Sequence, residues 1–510
     1  MDLDIRKYFI GVAIVFVGLV LLLRLFHLQV VDMSYKESAE NNALRRITQY
    51  PARGLIFDRN GNTIVNNLAA YDLMVIPRQL KPFDTTEFAS ILGLTKDDVI
   101  KTFARLKSEK RYSSNRPAIF LRQMSWETYA VLQAKLYKYK GAFYVQPRTL
   151  RNYVRNIAPH ALGYVTEVDS SDIRNENYYK SGDYIGKSGV ERFYEKELRG
   201  RKGVNIQVVN VHNQVVGPYL NGSLDTMAIV GSSLTLSIDA DLQEYLERLM
   251  SKMRGAAVAI EPETGEILAI VSVPNYDPAL LVGRVRSENY SKLNRDVSKP
   301  LFDRATMASY PPGSTFKVAQ GLVGLQEGTL TPDTYYGCAG GYVVGNFRQG
   351  CHGHASPLNL PQAIGNSCNT YFAMAFRAIL DNRKSGTVKE NYQTWRNDIL
   401  SFGFGQKLGV DLTQERNGNV PTTDYYDRRY FRNGRWQSLT IVSLSIGQAE
   451  MGNTVLQMAN FAATIANGGY FHTPHFIKQI NGRDTVPEQY AERRYTAVDT
   501  SHFKPVREGM

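Results

Sequence analysis

A hydroxyl and an amine stand three residues apart in the run Tyr310-Pro-Pro-Gly-Ser-Thr-Phe-Lys317. Pro311, Pro312 and Gly313 resist helix, whereas the residues after Ser314 carry the apolar spacing of a partly buried one, so Ser314 falls near a helix start. Residues three apart share a helix face, which lets Lys317 reach the Ser314 hydroxyl. A lysine kept neutral by desolvation and cationic neighbours can take that proton and leave a serine nucleophile. By itself the spacing more often means a helix-capping serine with a solvated lysine. A second pair changes the balance. Fifty-three residues after Ser314, Asn366-Ser367-Cys368-Asn369 again opens a helical run. A hydroxyl at Ser367 can relay a proton to a leaving amine, and the Asn369 amide can bind a substrate carbonyl.

The elements that must position these groups can be read from the patterning. At 510 residues the chain exceeds one ordinary core, so two to four domains are expected. It is 43% hydrophobic, and its net charge of +12 is spread along the chain rather than clustered. It lacks a nucleic-acid-binding signature, which argues against DNA or RNA as a ligand. Residues 8–23 are uncharged and mostly apolar, and the apolar character continues to Val31. Sixteen residues rise ~24 Å and twenty-four rise ~36 Å, against a hydrocarbon core of about 30 Å. An uncleaved single-pass anchor spanning 1–31 is expected, with Arg6 and Lys7 on the cytoplasmic side and the bulk outside.

Residues 32–50 are polar with helical spacing. Arg53 to Asn62 reads as a strand and an Asn-Gly turn, with Thr63-Ile-Val as the returning partner. Amphipathic helices with a capping Thr95 fill a head insertion at about 78–150, and glycine-punctuated short strands follow to 230. From 231 the pattern is a strand, a helix, a hairpin at 256–271, and then mainly helices to about 470. The expectation is an α+β multidomain protein with a mixed, β-rich pedestal at 32–230. A C-terminal domain at 231–510 has an antiparallel sheet flanked by helices.

These residues resemble a known family. Ser314-x-x-Lys317 and Ser367-x-Asn369 are two of the three active-site motifs of penicillin-recognising serine enzymes. The resemblance to class B penicillin-binding proteins extends over essentially the whole chain. It includes Arg53-Gly-x-Ile-x-Asp58-Arg59-Asn60-Gly61, Gly186-Lys-Ser-Gly-Val-Glu191, Leu198-Arg-Gly-Arg-Lys-Gly203 and Ser445-Ile-Gly-Gln448. Tyr153-x-Arg155 and Pro159-His-Ala-Leu-Gly-Tyr164 look most like the elongation-type branch, with the division type as the alternative.

The resemblance implies a peptidoglycan D,D-transpeptidase at the inner membrane with its bulk in the periplasm, acting on stem peptides ending in D-Ala-D-Ala and acylated by β-lactams. Ser314 would be the nucleophile and Lys317 the general base, with Ser367 and Asn369 as relay and positioning groups. It also implies a SEDS-type glycan polymerase and elongation scaffold proteins as partners, and no cofactor for catalysis. A catalytically silent penicillin-binding scaffold or sensor is the reading from a different class.

Two features depart from the family pattern. The third motif, Lys-Thr/Ser-Gly, should follow Ala466-Asn467-Gly468-Gly469. Lys384-Ser-Gly and Lys187-Ser-Gly189 are poorly placed substitutes. The closing run Phe503 to Met510 resembles the helix start shortly before the missing strand, so the chain reads as truncated there and unable to turn over. The other feature is Cys338, Cys351 and Cys368 with His352 and His354. A Cys338–Cys351 disulfide, a structural zinc held by the three cysteines with His354 or His352, and three unconnected thiols all remain open. Trp395 and Trp436 read as packing residues, and Arg53, Asp58, Arg59 and Glu191 as ion-pairing residues that lock the pedestal.

Overall fold

The computed structural model describes residues 3–27, 44–108, 113–114, 117–139, 142–210, 215–430, 436–483 and 486–510. The chain forms two compact units. One comprises Met1–Ala52, Ala69–Thr149 and Gly200–Gly231; the other comprises Arg53–Leu68, Leu150–Arg199 and Ser232–Met510.

In the first unit, a helix covers Leu3–Phe26. Among the described residues no helix is long and apolar enough to cross a membrane, and residues 1–2 and 28–31 of the expected anchor segment lie outside them. The helical spacing read at 32–50 falls partly outside them too. Its last part is corrected: Leu44–Gln49 is a strand. That strand pairs antiparallel with Gly203–Val209, which in turn pairs with Val215–Pro218. Such pairing depends on a partner distant in sequence, and local periodicity cannot report it. The expected helical insertion is present as Thr85–Ile91, Lys96–Ser108 and Trp126–Lys135. Thr95 caps as read, its Oγ1 accepting from Asp98 N at 3.2 Å. The helices close over Leu73, Val75, Phe88, Phe120, Leu132 and Phe143.

In the second unit, Ile56–Phe57 pairs with Thr63–Val65 as the hairpin expected from the sequence. Asp58 Oδ1 fixes its turn by accepting from Asn60 N and Asn62 N. Asp58 is therefore a turn residue, whereas Arg53 and Glu191 do form ion pairs. Arg53 contacts Glu191 and Glu195 at 2.6 Å each, and Arg151 contacts the other oxygen of Glu191 at 2.6 Å. Glu191 is fully buried between two guanidinium groups, which repay its desolvation.

The strand Leu234–Leu236 lies between Ile56–Phe57 and Ile477–Ile480. The hairpin Gly255–Ile260 with Ile267–Val273 is antiparallel, as its alternation requires. The helix Ala240–Met250 is tied to it through Gln243, which donates to Ile270 O and accepts from Ile270 N. Beyond it, helices Lys317–Gln326, Asn369–Leu380, Val388–Ser401 and Val455–Ala466 dominate. Phe316, Leu322, Phe372, Phe376, Trp395 and Phe461 share one core among them. Trp395 packs there as read, with its Nε1 donating to Gln320 Oε1 at 2.9 Å.

Candidate active site

The two motifs meet at the start of two packed helices. Gly313–Phe316 forms one 3₁₀ turn, and the α-helix begins only at Lys317. Ser314 is thus just ahead of the helix rather than inside its first α-turn. A 3₁₀ turn has three residues per turn, so Ser314 and Lys317 eclipse one another. Phe316 anchors the turn in the core, while Ser314 is exposed.

Lys317 is only 2% exposed. Its Nζ donates to Ser367 O at 2.6 Å, Ser367 Oγ at 2.9 Å and Asn369 Oδ1 at 2.6 Å. The structure brings together three of the four sequence-predicted residues through these bonds. The Lys317–Ser314 hydrogen bond expected from spacing is not among them. Burial brings the Lys317 pKa down to about 8, with the Cys351 and Cys368 sulfurs pulling the other way. A lysine in that range can give up its proton near neutral pH.

The backbone of Ser367 explains how one residue offers two acceptors to Lys317. Its φ is +50°, in the left-handed region that costs a residue with a Cβ about 1–2 kcal/mol. Cys368 then caps the Asn369–Leu380 helix, its Sγ accepting from Tyr371 N at 3.3 Å. Asn369 Nδ2 donates to Gly350 O at 2.8 Å, which turns its Oδ1 toward Lys317.

Gly350 closes a small hairpin, Gly341–Val344 with Phe347–Gly350, that the sequence reading missed. It delivers Cys351 to the back of the Ser367–Asn369 wall. There the Sγ of Cys338, Cys351 and Cys368 and a ring nitrogen of His354 all lie within 4.8 Å of one another. Cys351 Sγ is 4.0 Å from Cys368 Sγ and 3.4 Å from His354 Nε2. Ligands of a tetrahedral zinc with about 2.3 Å Zn–S and 2.0–2.1 Å Zn–N bonds lie roughly 3.5–3.8 Å apart. The other nitrogen of His354, Nδ1, lies 2.6 Å from Ala355 O and leaves Nε2 free to bind.

The donor set and spacing therefore fit zinc, through His354 rather than His352. The three cysteines are free, without the Cys338–Cys351 disulfide. Burial pushes the Cys368 thiol up to about 12. At Cys351 burial is outweighed by the backbone N–H groups of Asn369 and Thr370, and its pKa falls.

The two Lys-Ser-Gly runs serve other ends. Lys187 Nζ pairs with Asp169 and Asp172 at 2.8 and 2.6 Å. Lys384 is exposed in the turn before Thr387, which caps the Val388–Ser401 helix.

The family comparisons agree with this geometry. The penicillin-binding protein transpeptidase domain matches residues 255–510, and the penicillin-binding protein dimerisation domain matches 48–236. The Haemophilus influenzae peptidoglycan D,D-transpeptidase MrdA is 31% identical over 484 residues, covering 92% of this chain and 71% of that protein. The Helicobacter pylori PBP2 in complex with MreC superposes with a TM-score of 0.73 at 27% identity, covering 92% of this chain and 84% of the other. A chain from a peptidoglycan synthase complex, described as coordinating polymerization and crosslinking, gives 0.66 at 25% identity, covering 99% and 84%. With both domain types matched in order and the Ser-x-x-Lys and Ser-x-Asn motifs meeting in space, the chain belongs to the class B penicillin-binding proteins of the elongation type.

Proposed function

We propose that this chain is a peptidoglycan D,D-transpeptidase that works through an acyl-enzyme on Ser314. The observation that carries the reading is a buried Lys317 with a pKa of about 8, held by Ser367 and Asn369 one turn from an exposed serine. In the first half-reaction Ser314 Oγ attacks the carbonyl of the penultimate D-Ala, and its proton passes to neutral Lys317. The C–N bond to the terminal D-Ala then breaks, and the leaving amine takes a proton from Lys317 by way of Ser367 Oγ.

In the second half-reaction an amine from a neighbouring stem peptide attacks the ester and loses its proton to Lys317, the C–O bond to Ser314 breaks, and Lys317 returns the proton to Ser314 Oγ. A β-lactam follows the first half-reaction, but its opened ring stays attached and the serine remains acylated. Asn369 positions the substrate amide, and the Ser314 N–H contributes one oxyanion donor, a kind of group typically worth about 3–4 kcal/mol.

The Cys338, Cys351, His354 and Cys368 cluster would hold a structural zinc. The group would supply rigidity to the wall that carries Ser367 and Asn369, and no step of the acyl transfer runs through it. The Leu3–Phe26 helix, whose Ile10, Val12, Ile14 and Phe16 are all more than half exposed, supports a membrane anchor with the bulk of the chain in the periplasm. The similar structures suggest an MreC-like scaffold protein and a glycan-polymerising partner, which the family resemblance would make of the SEDS type.

Incubation with a fluorescent penicillin tests the reading. Wild-type protein should retain label through denaturation and Ser314→Ala should not. Equal labelling of the two would end the assignment.

A further inference from the structure

The segment Ser445-Ile-Gly-Gln448, to which the chemistry above gives no part, lies directly against the turn that carries Ser314. Gly313 donates its N–H to Gly447 O at 2.9 Å. Gly447 ends the 3₁₀ segment Ser438–Ile446 at φ 67° and ψ 35°, a conformation that glycine adopts without a Cβ penalty. Space restricts the position further. A Cβ on Gly447 would lie 2.5 Å from Gly313 O, 2.9 Å from Gly313 N and 2.7 Å from Phe316 Cβ. Two of these atoms are backbone and the third is fixed to it, so no change of rotamer relieves the contact. They belong to residues on either side of Ser314.

A second grip lies a few residues on. Tyr310 N donates to Asn453 O at 2.9 Å, and Asn453 N donates to Tyr310 O at 2.8 Å. A Cβ on Gly452 would lie 2.3 Å from Ser309 Oγ. Between the two grips Ala449 is held at φ +64°, a strained value for a residue with a side chain, and one that persists only where the surroundings impose it.

We propose that Gly447 to Asn453 is a positioning element for the nucleophile: it clamps Ser309–Gly313 from two sides and fixes where the Ser314 hydroxyl stands relative to Lys317. The proposal rests on Ser314 being the nucleophile. It gives the Ser-Ile-Gly-Gln run a reason for its glycine, since any larger residue at 447 must displace the turn by about an ångström. The contacts that define the clamp are made to the backbone and side chains of Ser309–Phe316. They act through the backbone of Ser314.

The test uses the full chain and time courses of acylation by a labelled penicillin, which separate the non-covalent binding constant from the acylation rate constant. Thermal unfolding is recorded for every variant. Gly447→Ala should lower the acylation rate constant by about a hundredfold, since a misplacement of about an ångström has that effect, with binding and the midpoint of the pH–rate profile unchanged. Gly328→Ala is the control. That glycine also has a positive φ, of +65°, but open space where the Cβ would go, so it should acylate at the wild-type rate.

Gly452→Ala presses only on a rotatable hydroxyl and decides the matter if Gly447→Ala does not fold. It should lose acylation rate by a smaller factor, and adding Ser309→Ala should restore it. Wild-type acylation in a folded Gly447→Ala or Gly452→Ala, an equal loss in Gly328→Ala, or failure of the double variant to recover would each overturn the proposal. Absence of any acylation in the wild-type chain would instead remove the Ser314 assignment, and the clamp with it.

Discussion

Lys317 Nζ stands 2.6 Å from the backbone oxygen of Ser367 and 2.9 Å from its side-chain oxygen. One residue meets the lysine twice because its backbone is left-handed, with φ +50°. Local strain at Ser367 is thereby exchanged for the orientation of the proposed proton relay, an arrangement found at functional sites. Ser367→Gly and Ser367→Ala should separate the two contributions. Both should lose roughly a hundredfold in acylation rate, the scale of a positioned proton-transfer group. Only the glycine variant should match or exceed the wild type in thermal stability. Acylation kinetics beside melting curves check both outcomes.

The charge state of Lys317 gives a pH dependence for activity and another for stability. Acylation should rise with pH through about 8 as the amine is deprotonated. The folded pKa is depressed below the ordinary 10.5, so between about 8 and 10.5 the unfolded chain binds more protons and stability rises with pH. Below 8 the folded protein carries the full cost of the buried charge, about 3 kcal/mol for a shift of this size. Lys317→Met should consequently abolish acylation yet melt higher than wild type at pH 7. Melting curves from pH 7 to 10 should converge for the two proteins.

Asp398 offers the opposite sign. Burial, and then the Glu327 carboxyl beside it, push its pKa up to about 7. A carboxyl with a raised folded pKa favours the folded state when protonated, so stability should fall as pH rises from about 4 toward 7. Above that range a buried carboxylate remains, with its Oδ2 unpartnered. Asp398→Asn should flatten this part of the stability profile and melt higher than wild type at pH 8, as denaturant unfolding at several pH values would show.

Much of the site was legible because acyl-transfer chemistry imposes residue types at fixed short spacings. Ser314 with Lys317, and Ser367 with Asn369, could be found without coordinates, as could the hairpin at 255–273, whose alternation is regular. What stayed hidden depends on contacts between residues far apart in sequence. Leu44–Gln49 is a strand only because Gly203–Val209 pairs with it. The polar Gly341–Gly350 hairpin, which brings Cys351 to Asn369 N at 3.3 Å, has no strong periodicity of its own. The allegiance of Lys317 to Ser367 rather than Ser314 rests on one positive φ that a serine does not advertise.

The buried ion pairs make a prediction about stability alone. Glu191 is fully buried between Arg53 and Arg151. Glu191→Gln should destabilise the protein by about 3–5 kcal/mol, because the buried Arg151 guanidinium loses the carboxylate it pairs with and Arg53 keeps only Glu195. Urea unfolding measures this directly, and fluorescent penicillin should still label whatever fraction remains folded.

The zinc reading predicts one equivalent of metal in the purified protein and its loss in Cys351→Ser. Cobalt substitution should give the thiolate charge-transfer absorption of a sulfur-rich tetrahedral site. Protein prepared with metal available and found free of zinc would leave the cluster as three thiols and a histidine.

The most direct measurement of the central claim is peptide mapping by mass spectrometry after reaction with benzylpenicillin. A single penicilloyl adduct on the peptide containing Ser314, absent from Lys317→Met at the same pH, is the expected result. An adduct on any other serine, or full modification of Lys317→Met at the wild-type rate, would contradict the assignment of Ser314 as nucleophile and Lys317 as its base.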